Sequence, residues 1–179
     1  MLKPENTILV LVDVQEKLSK AMCEKEALLD NTVKMVQGAK ILDLPIVWTE
    51  QNPKGLGQTV PEIRGLLADS EPVTKLSFSC CGEPRFMQEI RKFDRQQIVV
   101  GGIESHVCVY QTVSDLVKLG YEVQVLVDCV SSRTPANRAL GLERCKESGA
   151  SVTSVETALF EMLGAAEGDR FKQMLKVVK

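Results

Sequence analysis

Short β-branched runs alternate along this chain with longer segments of helical periodicity, and this alternation restricts the possible folds more than any other feature. The first run, Thr7 to Val14, is apolar at almost every position up to Asp13. Such a run indicates a strand buried on both faces, as in the middle of a parallel sheet. Strands of this kind separated by helices predict parallel pairing through helical crossovers.

Six strands follow from this pattern, and they are predicted at Thr7 to Val14, Ile46 to Glu50, Val73 to Leu76, Gln97 to Ile103, Glu122 to Asp128 and Ser151 to Val155. Helices are predicted at Lys17 to Leu42, Glu83 to Phe93, Val107 to Leu119 and Pro135 to Ser148, with one or two more closing the chain. The segment Gln51 to Gly65 holds three glycines and two prolines, which predicts a long loop. Right-handed crossovers cover both faces of a sheet. The expected architecture is therefore α/β, a three-layer α/β/α fold around a six-stranded, mostly parallel open sheet.

Length and charge limit the classes of protein to which the chain can belong. A chain of 179 residues suits one domain, residues 1–179, and no Ser/Gly-rich linker divides it. With 22 basic and 24 acidic side chains it has no basic excess for nucleic-acid binding. The longest uninterrupted apolar run is too short for a membrane span, and the N-terminus lacks a signal-peptide pattern. We expect a cytoplasmic protein with neither nucleic-acid nor membrane partners.

Cysteine and histidine usage argues against several kinds of site. The six cysteines form no CxxC pair, so free thiols are expected rather than a zinc site or a disulfide framework. The only histidine, His106, leaves no HExxH motif. Gly101 and Gly102 do not follow the first strand, so they are not a dinucleotide fingerprint. We therefore expect no metal and no cofactor.

Reactive side chains occur where the predicted strands end. Asp13 ends the first strand, Lys75 the third and Asp128 the fifth, and Cys108 lies just after the fourth. Ligands of open parallel sheets bind beyond the carboxyl ends of the strands, near the switch in strand order. A helix start and a neighbouring cation favour a thiolate. Cys108 is therefore predicted to be an activated nucleophile, with backbone N–H groups of the turn Ile103 to Cys108 binding an oxyanion.

Each of these residues also has a purely structural interpretation. Cys108 on an apolar helix is alternatively a small core residue, and Asp13 a cap for the next helix. Lys75 taken by itself is a solvated surface lysine. Asp128 is expected to organise the loop that follows it rather than to act in catalysis. Cys80 and Cys81, just past Lys75, are expected either to line the rim of a pocket or to be inert.

Four segments together resemble the isochorismatase-like cysteine hydrolase superfamily: Val12-Asp13-Val14-Gln15, Lys75 with Phe78, Gly102-Ile103-Glu104-Ser105-His106-Val107-Cys108-Val109, and Val127-Asp128-Cys129-Val130-Ser131-Ser132-Arg133. The resemblance runs in order from about Thr7 to Val155 and implies a Rossmann-like hydrolase fold. It implies a catalytic triad of Asp13, Lys75 and Cys108. It also implies a cis peptide bond between Ile103 and Glu104, which turns the N–H groups of Glu104 and Cys108 toward the substrate carbonyl. Members usually form homo-oligomers, so the same is expected here.

Residues near these motifs are predicted to form the walls of a substrate pocket, and they are Gln15, Trp48, Phe78, His106 and Tyr110. Because His106 is only two residues from Cys108, it is interpreted as a pocket or interface residue rather than as a papain-like base. Nicotinamidases of the superfamily carry metal-binding histidines after the second strand. Here that position reads Glu50-Gln51-Asn52-Pro53-Lys54-Gly55-Leu56-Gly57, which resembles the isochorismatase-domain-containing branch instead.

Two classes of function follow from these observations. The first is a metal-independent cysteine hydrolase that cleaves an amide or related C–N bond of a small molecule, in which Cys108 forms a thioester. Within that class, vinyl ether hydrolysis of the isochorismatase type is the alternative. The second is a catalytically silent, oligomeric binding or regulatory module, since a fold alone does not determine function.

Overall fold

A six-stranded parallel sheet forms the centre of the protein, seen in a computed structural model that describes residues 1–179. Its strands are β1 (Thr7–Val12), β2 (Ile46–Gln51), β3 (Val73–Lys75), β4 (Gln97–Ile103), β5 (Glu122–Ser131) and β6 (Ser151–Thr153). The strand order is β3-β2-β1-β4-β5-β6, and every neighbouring pair is parallel. The direction of strand addition therefore reverses between β1 and β4, which is where such sheets bind ligands.

Helices cover both faces of this sheet. They are α1 (Glu16–Ser19), α2 (Lys25–Ile41), α3 (Pro53–Leu56), α4 (Pro61–Leu66), α5 (Pro84–Arg91), α6 (Tyr110–Lys118), α7 (Pro135–Glu147), α8 (Val155–Leu163) and α9 (Gly168–Val178). Alternate residues of β1 enter two separate apolar clusters, because successive side chains of a strand point to opposite faces. Leu9 and Leu11 join the cluster with α2, α8 and α9. Ile8 and Val10 join the cluster with α5, α6 and α7. The expected three-layer α/β/α fold is confirmed.

Several predicted elements differ from the structure. The helix expected from Lys17 to Leu42 is two helices, because the chain turns between α1 and α2, with Glu24 in the left-handed region at φ 50°. β1 ends at Val12, before Asp13, which is also left-handed at φ 52°. The segment predicted as a loop, Gln51 to Gly65, contains the end of β2 and the short helices α3 and α4. Each of these helices begins at a proline, whose fixed φ suits the first helical position.

β1 and β4 approach each other closely where they end. Gly102 has φ +127°, and a Cβ atom built on it would lie 2.1 Å from the carbonyl oxygen of Val12. Only glycine fits that position, so the turns that follow β1 and β4 lie side by side.

β5 continues to Ser131, three residues beyond the predicted end. No helix is long and apolar enough to cross a lipid bilayer.

Candidate active site

The carboxyl ends of β1, β3 and β4 bring the three predicted catalytic residues to one edge of the sheet. Asp13 directly follows β1, Lys75 is the last residue of β3, and Cys108 lies in a π-helical turn, Ser105–Val109, between β4 and α6. Asp13 is fully buried, Lys75 is 1% exposed and Cys108 is 7% exposed. Cys108 is thus the member of the group that retains some contact with the surface.

Asp13 and Lys75 form an ion pair without solvent contact. The Nζ atom of Lys75 lies 2.7 Å from Oδ2 of Asp13, and both side chains are 0% exposed. Nζ also donates to Gln51 Oε1 at 2.9 Å and to the carbonyl oxygens of Ser77 at 3.0 Å and Phe78 at 3.1 Å. A buried ammonium is tolerated when it is paired and hydrogen-bonded in this way. The solvated surface interpretation of Lys75 is wrong.

A second donor occupies the other oxygen of the Asp13 carboxylate. The hydroxyl of Thr49, on β2, donates to Asp13 Oδ1 at 2.7 Å. The same hydroxyl oxygen lies 3.7 Å from the Sγ atom of Cys80. Oδ1 of Asp13 therefore has a donor from β2, and Oδ2 has a donor from β3. Thr49 and Cys80 are both buried.

The Cys108 thiol does not rest as an activated thiolate, which corrects the sequence-based expectation. Burial raises the pKa of Cys108 to about 12, and the Asp13 carboxylate adds to this rise through its charge and by accepting a hydrogen bond from the thiol. Lys75 lowers the pKa of Cys108, but its effect is smaller than those of burial and of the Asp13 charge. Cys108 is therefore protonated at neutral pH beside a carboxylate that can accept its proton.

The turn that carries Cys108 has an unusual backbone. The peptide bond between Ile103 and Glu104 is cis. The carbonyl oxygen of Glu104 accepts hydrogen bonds from the N–H groups of Val107 and Val109 but not from that of Cys108 between them. The Glu104 N–H makes no hydrogen bond within the protein. A π-helical turn of this kind occurs frequently at functional sites.

Helix α7 packs directly against this turn through a glycine. A Cβ atom built on Gly141 would lie 2.4 Å from the carbonyl carbon of Ser105, so no larger residue fits without movement of the turn. The hydroxyl of Ser105 lies 2.7 Å from that of Ser132, which in turn is 2.9 Å from His106 Nδ1. These contacts hold the π-helical turn between α7 and the end of β5.

Two of the predicted pocket residues are buried and make structural contacts. Gln15 is fully buried, and its amide donates to the carbonyl oxygens of Gln51 at 3.0 Å and Gly57 at 2.6 Å. Its side-chain oxygen accepts from the Gln51 N–H at 2.7 Å, so Gln15 ties the segment after β2 to the end of β1. Trp48 is 3% exposed, belongs to the apolar cluster of α2 and α8, and donates to Ser70 Oγ at 3.0 Å.

The other three predicted pocket residues are more accessible. Phe78 is 56% exposed, and its carbonyl oxygen is one of the acceptors of Lys75. His106 is half-buried in the π-helical turn itself. Tyr110 is half-buried at the start of α6, where the Arg144 guanidinium donates to its hydroxyl at 3.1 Å and lies over its ring. Tyr110 therefore packs toward α7.

Three residues have contacts that were not predicted. Thr49 and Gln51 contact the Asp13–Lys75 pair directly, and a polar residue inside the apolar run of β2 was the only signal for Thr49. Asp128 was expected to organise the loop that follows it, but residues 129–131 belong to β5 and the Asp128 side chain is bonded elsewhere. Both of its carboxylate oxygens accept from the Val155 N–H at 3.1 Å, at the start of α8.

One surface cavity lies on the face of the sheet opposite to that of Cys108. It has a volume of about 510 Å³ and is bordered by Trp48, Glu16 and Arg64. Trp48 belongs to the apolar cluster on the face of the sheet opposite to that of Cys108. No three His, Cys, Asp or Glu side chains are grouped closely enough to hold a metal ion.

Known proteins are similar to this chain in sequence. The chain is 38% identical to isochorismatase domain-containing protein 2 of Xenopus laevis, with 97% of this chain and 83% of that protein aligned. It is 37% identical to the secreted isochorismatase effector Isc1 of Phytophthora sojae, over 98% of this chain and 86% of that protein.

Solved structures are similar to this chain in fold. The MAR1 ribonuclease of Caenorhabditis elegans superposes with a TM-score of 0.92 at 34% identity, covering 99% of this chain and 91% of that chain. The YcaC gene product of Escherichia coli, described as an octameric hydrolase of unknown specificity, superposes with a TM-score of 0.93 at 19% identity, over 98% and 88% of the two chains. Residues 7–157 match the isochorismatase domain. The chain therefore belongs to the isochorismatase family, within the isochorismatase-like hydrolase superfamily.

Proposed function

We propose that this protein is a cysteine hydrolase that cleaves an amide or a related C–N bond of a small molecule. The observation that carries the proposal is the buried Asp13–Lys75 ion pair next to the Cys108 thiol. A buried ion pair contributes little net stability compared with apolar packing, so stability alone gives no reason for this arrangement. A thiol nucleophile, a proton acceptor and a fixed positive charge at one edge of the sheet are the groups that acyl transfer to sulfur requires.

In the first half-reaction, the sulfur of Cys108 bonds to the substrate carbonyl carbon as Asp13 takes the thiol proton. The negative charge on the carbonyl oxygen is stabilised by the N–H groups of Glu104 and Cys108, which act as the oxyanion hole. The carbonyl then reforms, the C–N bond breaks, and Asp13 gives its proton to the departing amine. Lys75 compensates the charge of the Asp13 carboxylate through the buried ion pair and fixes its orientation.

In the second half-reaction, water attacks the thioester carbonyl while Asp13 accepts a proton from it. The C–S bond breaks, the acid product leaves, and the proton returns to the Cys108 sulfur. No metal or redox cofactor is required for either step. The pairing of a thiol with a proton acceptor favours amide cleavage over vinyl ether hydrolysis, because the latter does not need a sulfur nucleophile.

The test is a screen of small amides with the wild-type protein, followed by Cys108→Ala on each substrate found. We expect the substitution to abolish hydrolysis and to remove the thioester intermediate that mass spectrometry detects in the wild type. Cys145→Ala is the matched control, because Cys145 is also a buried thiol in the same apolar cluster, but burial alone raises its pKa and no carboxylate contributes. Equal hydrolysis by the wild type and Cys108→Ala would refute the proposal. Absence of any substrate, together with an unreactive Cys108, would favour a silent binding module.

Three further features belong to the same proposal. All six cysteines are free, which suits a reducing, cytoplasmic location, although the Phytophthora relative is named as secreted. A homo-oligomer is proposed because the YcaC gene product of the same fold is described as octameric. Sedimentation of the full chain tests this assembly. The whole chain, residues 1–179, is proposed to act as one hydrolase domain.

A further inference from the structure

The hydrogen-bond directions around Thr49 follow from the chemistry of its neighbours. Its hydroxyl has a single proton and lies 2.7 Å from Asp13 Oδ1 and 3.7 Å from Cys80 Sγ. An ionised carboxylate only accepts hydrogen bonds, so the hydroxyl donates to Asp13. The hydroxyl oxygen is then the acceptor at the other contact, and the Cys80 thiol is the donor.

Cys80 is well suited to act as a permanent donor. Burial, followed by the charge of Asp13, raises the pKa of Cys80 to about 11, so its thiol keeps its proton at neutral pH. The residue is 0% exposed and its backbone N–H donates to Thr112 Oγ1, on α6, at 2.9 Å. This contact with α6 fixes the position of Cys80, and the mechanism proposed above does not use its thiol.

We infer that Thr49 and Cys80 form a hydrogen-bond relay that controls how readily Asp13 takes and returns the Cys108 proton. Both are positioning residues, since they act through Asp13, and the inference rests on the proposed hydrolase function. The relay stabilises the ionised carboxylate. It therefore opposes proton uptake from the thiol and assists proton return to the leaving group.

Removal of the relay thus has opposite effects on two properties of Cys108. The titratable groups that face Asp13 are Lys75, Cys80 and Cys108. Without the Thr49 hydroxyl, the carboxylate accepts the thiol proton more readily, so the reactive pair of protonated Asp13 and thiolate is more populated at neutral pH. Asp13 and Cys108 share one proton. Because the carboxylate lacks the Thr49 donor, loss of this shared proton to solvent is less favourable, and full deprotonation of the pair moves to higher pH.

Iodoacetamide alkylation of Cys108, followed by peptide mapping across the pH range, measures both properties. Sulfur displaces iodide from the reagent while Asp13 takes the thiol proton, so the reaction requires no substrate. We expect Thr49→Val to react roughly three- to tenfold faster at neutral pH, with its alkaline rise shifted upward by about half a pH unit or more. Thr49→Ser keeps the hydroxyl and should resemble the wild type. Thr32→Val, which removes a buried hydroxyl bonded to the Leu28 carbonyl oxygen on α2, is the matched control.

A double-mutant cycle tests whether Cys80 acts through Thr49. Cys80→Ala should accelerate neutral alkylation by about twofold in the wild-type background and have no effect in Thr49→Val. An unchanged profile for Thr49→Val, or an equal effect of Cys80→Ala in both backgrounds, would overturn the inference. A lower alkaline midpoint in Thr49→Val would also overturn it, because that result indicates water entry rather than loss of a donor. Failure of the proposed function is detected separately, as hydrolysis that persists in Cys108→Ala.

Discussion

Replacement of Lys75 by methionine should strongly destabilise the protein. Methionine is similar in length but cannot neutralise Asp13, whose carboxylate is 0% exposed and loses a partner at 2.7 Å. Removal of one member of a buried ion pair costs about 3–5 kcal/mol, because the remaining charge is neither solvated nor compensated. The carbonyl oxygens of Ser77 and Phe78 lose their Lys75 donor as well. We expect a loss in the upper part of that range.

Urea denaturation and thermal unfolding measure this loss. For a chain of this length, about 3–5 kcal/mol corresponds to a fall of roughly 6–20 °C in Tm. Lys92→Met is the matched control. Lys92 lies 2.6 Å from Glu89 but is 60% exposed, so its loss should cost less than about 1 kcal/mol.

A second substitution separates the charge effect from the loss of packing. Asp13→Asn in the Lys75→Met background removes the uncompensated charge, and asparagine tolerates the left-handed backbone that Asp13 adopts at φ 52°. The double variant should recover most of the lost stability. A loss of stability in Lys75→Met no larger than that in Lys92→Met, or no recovery of stability on adding Asp13→Asn, would contradict this charge effect.

Three further outcomes follow from the structure. Gly102→Ala should unfold the protein or cost more than about 3 kcal/mol in urea denaturation, because its Cβ would lie 2.1 Å from a β1 carbonyl oxygen, whereas Gly65→Ala, with nothing within 4 Å, should be tolerated. Burial raises the pKa of both Cys108 and Cys145 to about 12, but only Cys108 has a carboxylate beside it. Mass spectrometry should therefore detect alkylation of native Cys108 at neutral pH and none of Cys145. Arg133→Met removes an ion pair whose arginine is 63% exposed, so Tm should fall by less than about 4 °C.

Most of the fold and the members of the site could be predicted from sequence patterns. Strands buried on both faces appear as continuous apolar runs, and Gln97–Ile103 was predicted with its observed bounds. Parallel strands place their carboxyl ends at one edge, so Asp13, Lys75 and Cys108 were expected together. The errors are local. The break between α1 and α2 depends on a left-handed residue, Glu24, which has no distinctive sequence signal.

Contacts that depend on three-dimensional distances could not be predicted. Thr49 contacts Asp13 only because β2 lies beside β1 in a particular register, and Gln51 reaches Lys75 across the β2–β3 pair. The resting state of Cys108 was predicted with the wrong sign, since a helix start and a lysine suggested a thiolate. Burial outweighs the lysine charge, and the extent of burial is not visible in a sequence.

The protonated resting state of Cys108 changes how its reactivity should be understood. Asp13 accepts hydrogen bonds from Lys75, Thr49 and Cys108, so transfer of the thiol proton to Asp13 is favoured when another interaction compensates for the charge moved onto sulfur. In the mechanism proposed above, a substrate carbonyl held by the N–H groups of Glu104 and Cys108 would provide that compensation, because sulfur transfers its charge to the carbonyl oxygen as the bond forms. Activation of Cys108 would then be coupled to the presence of a substrate. A protonated, buried thiol of this kind would react slowly with solvent oxidants, because the thiolate is the reactive form, and would still attack a carbonyl inside the occupied site.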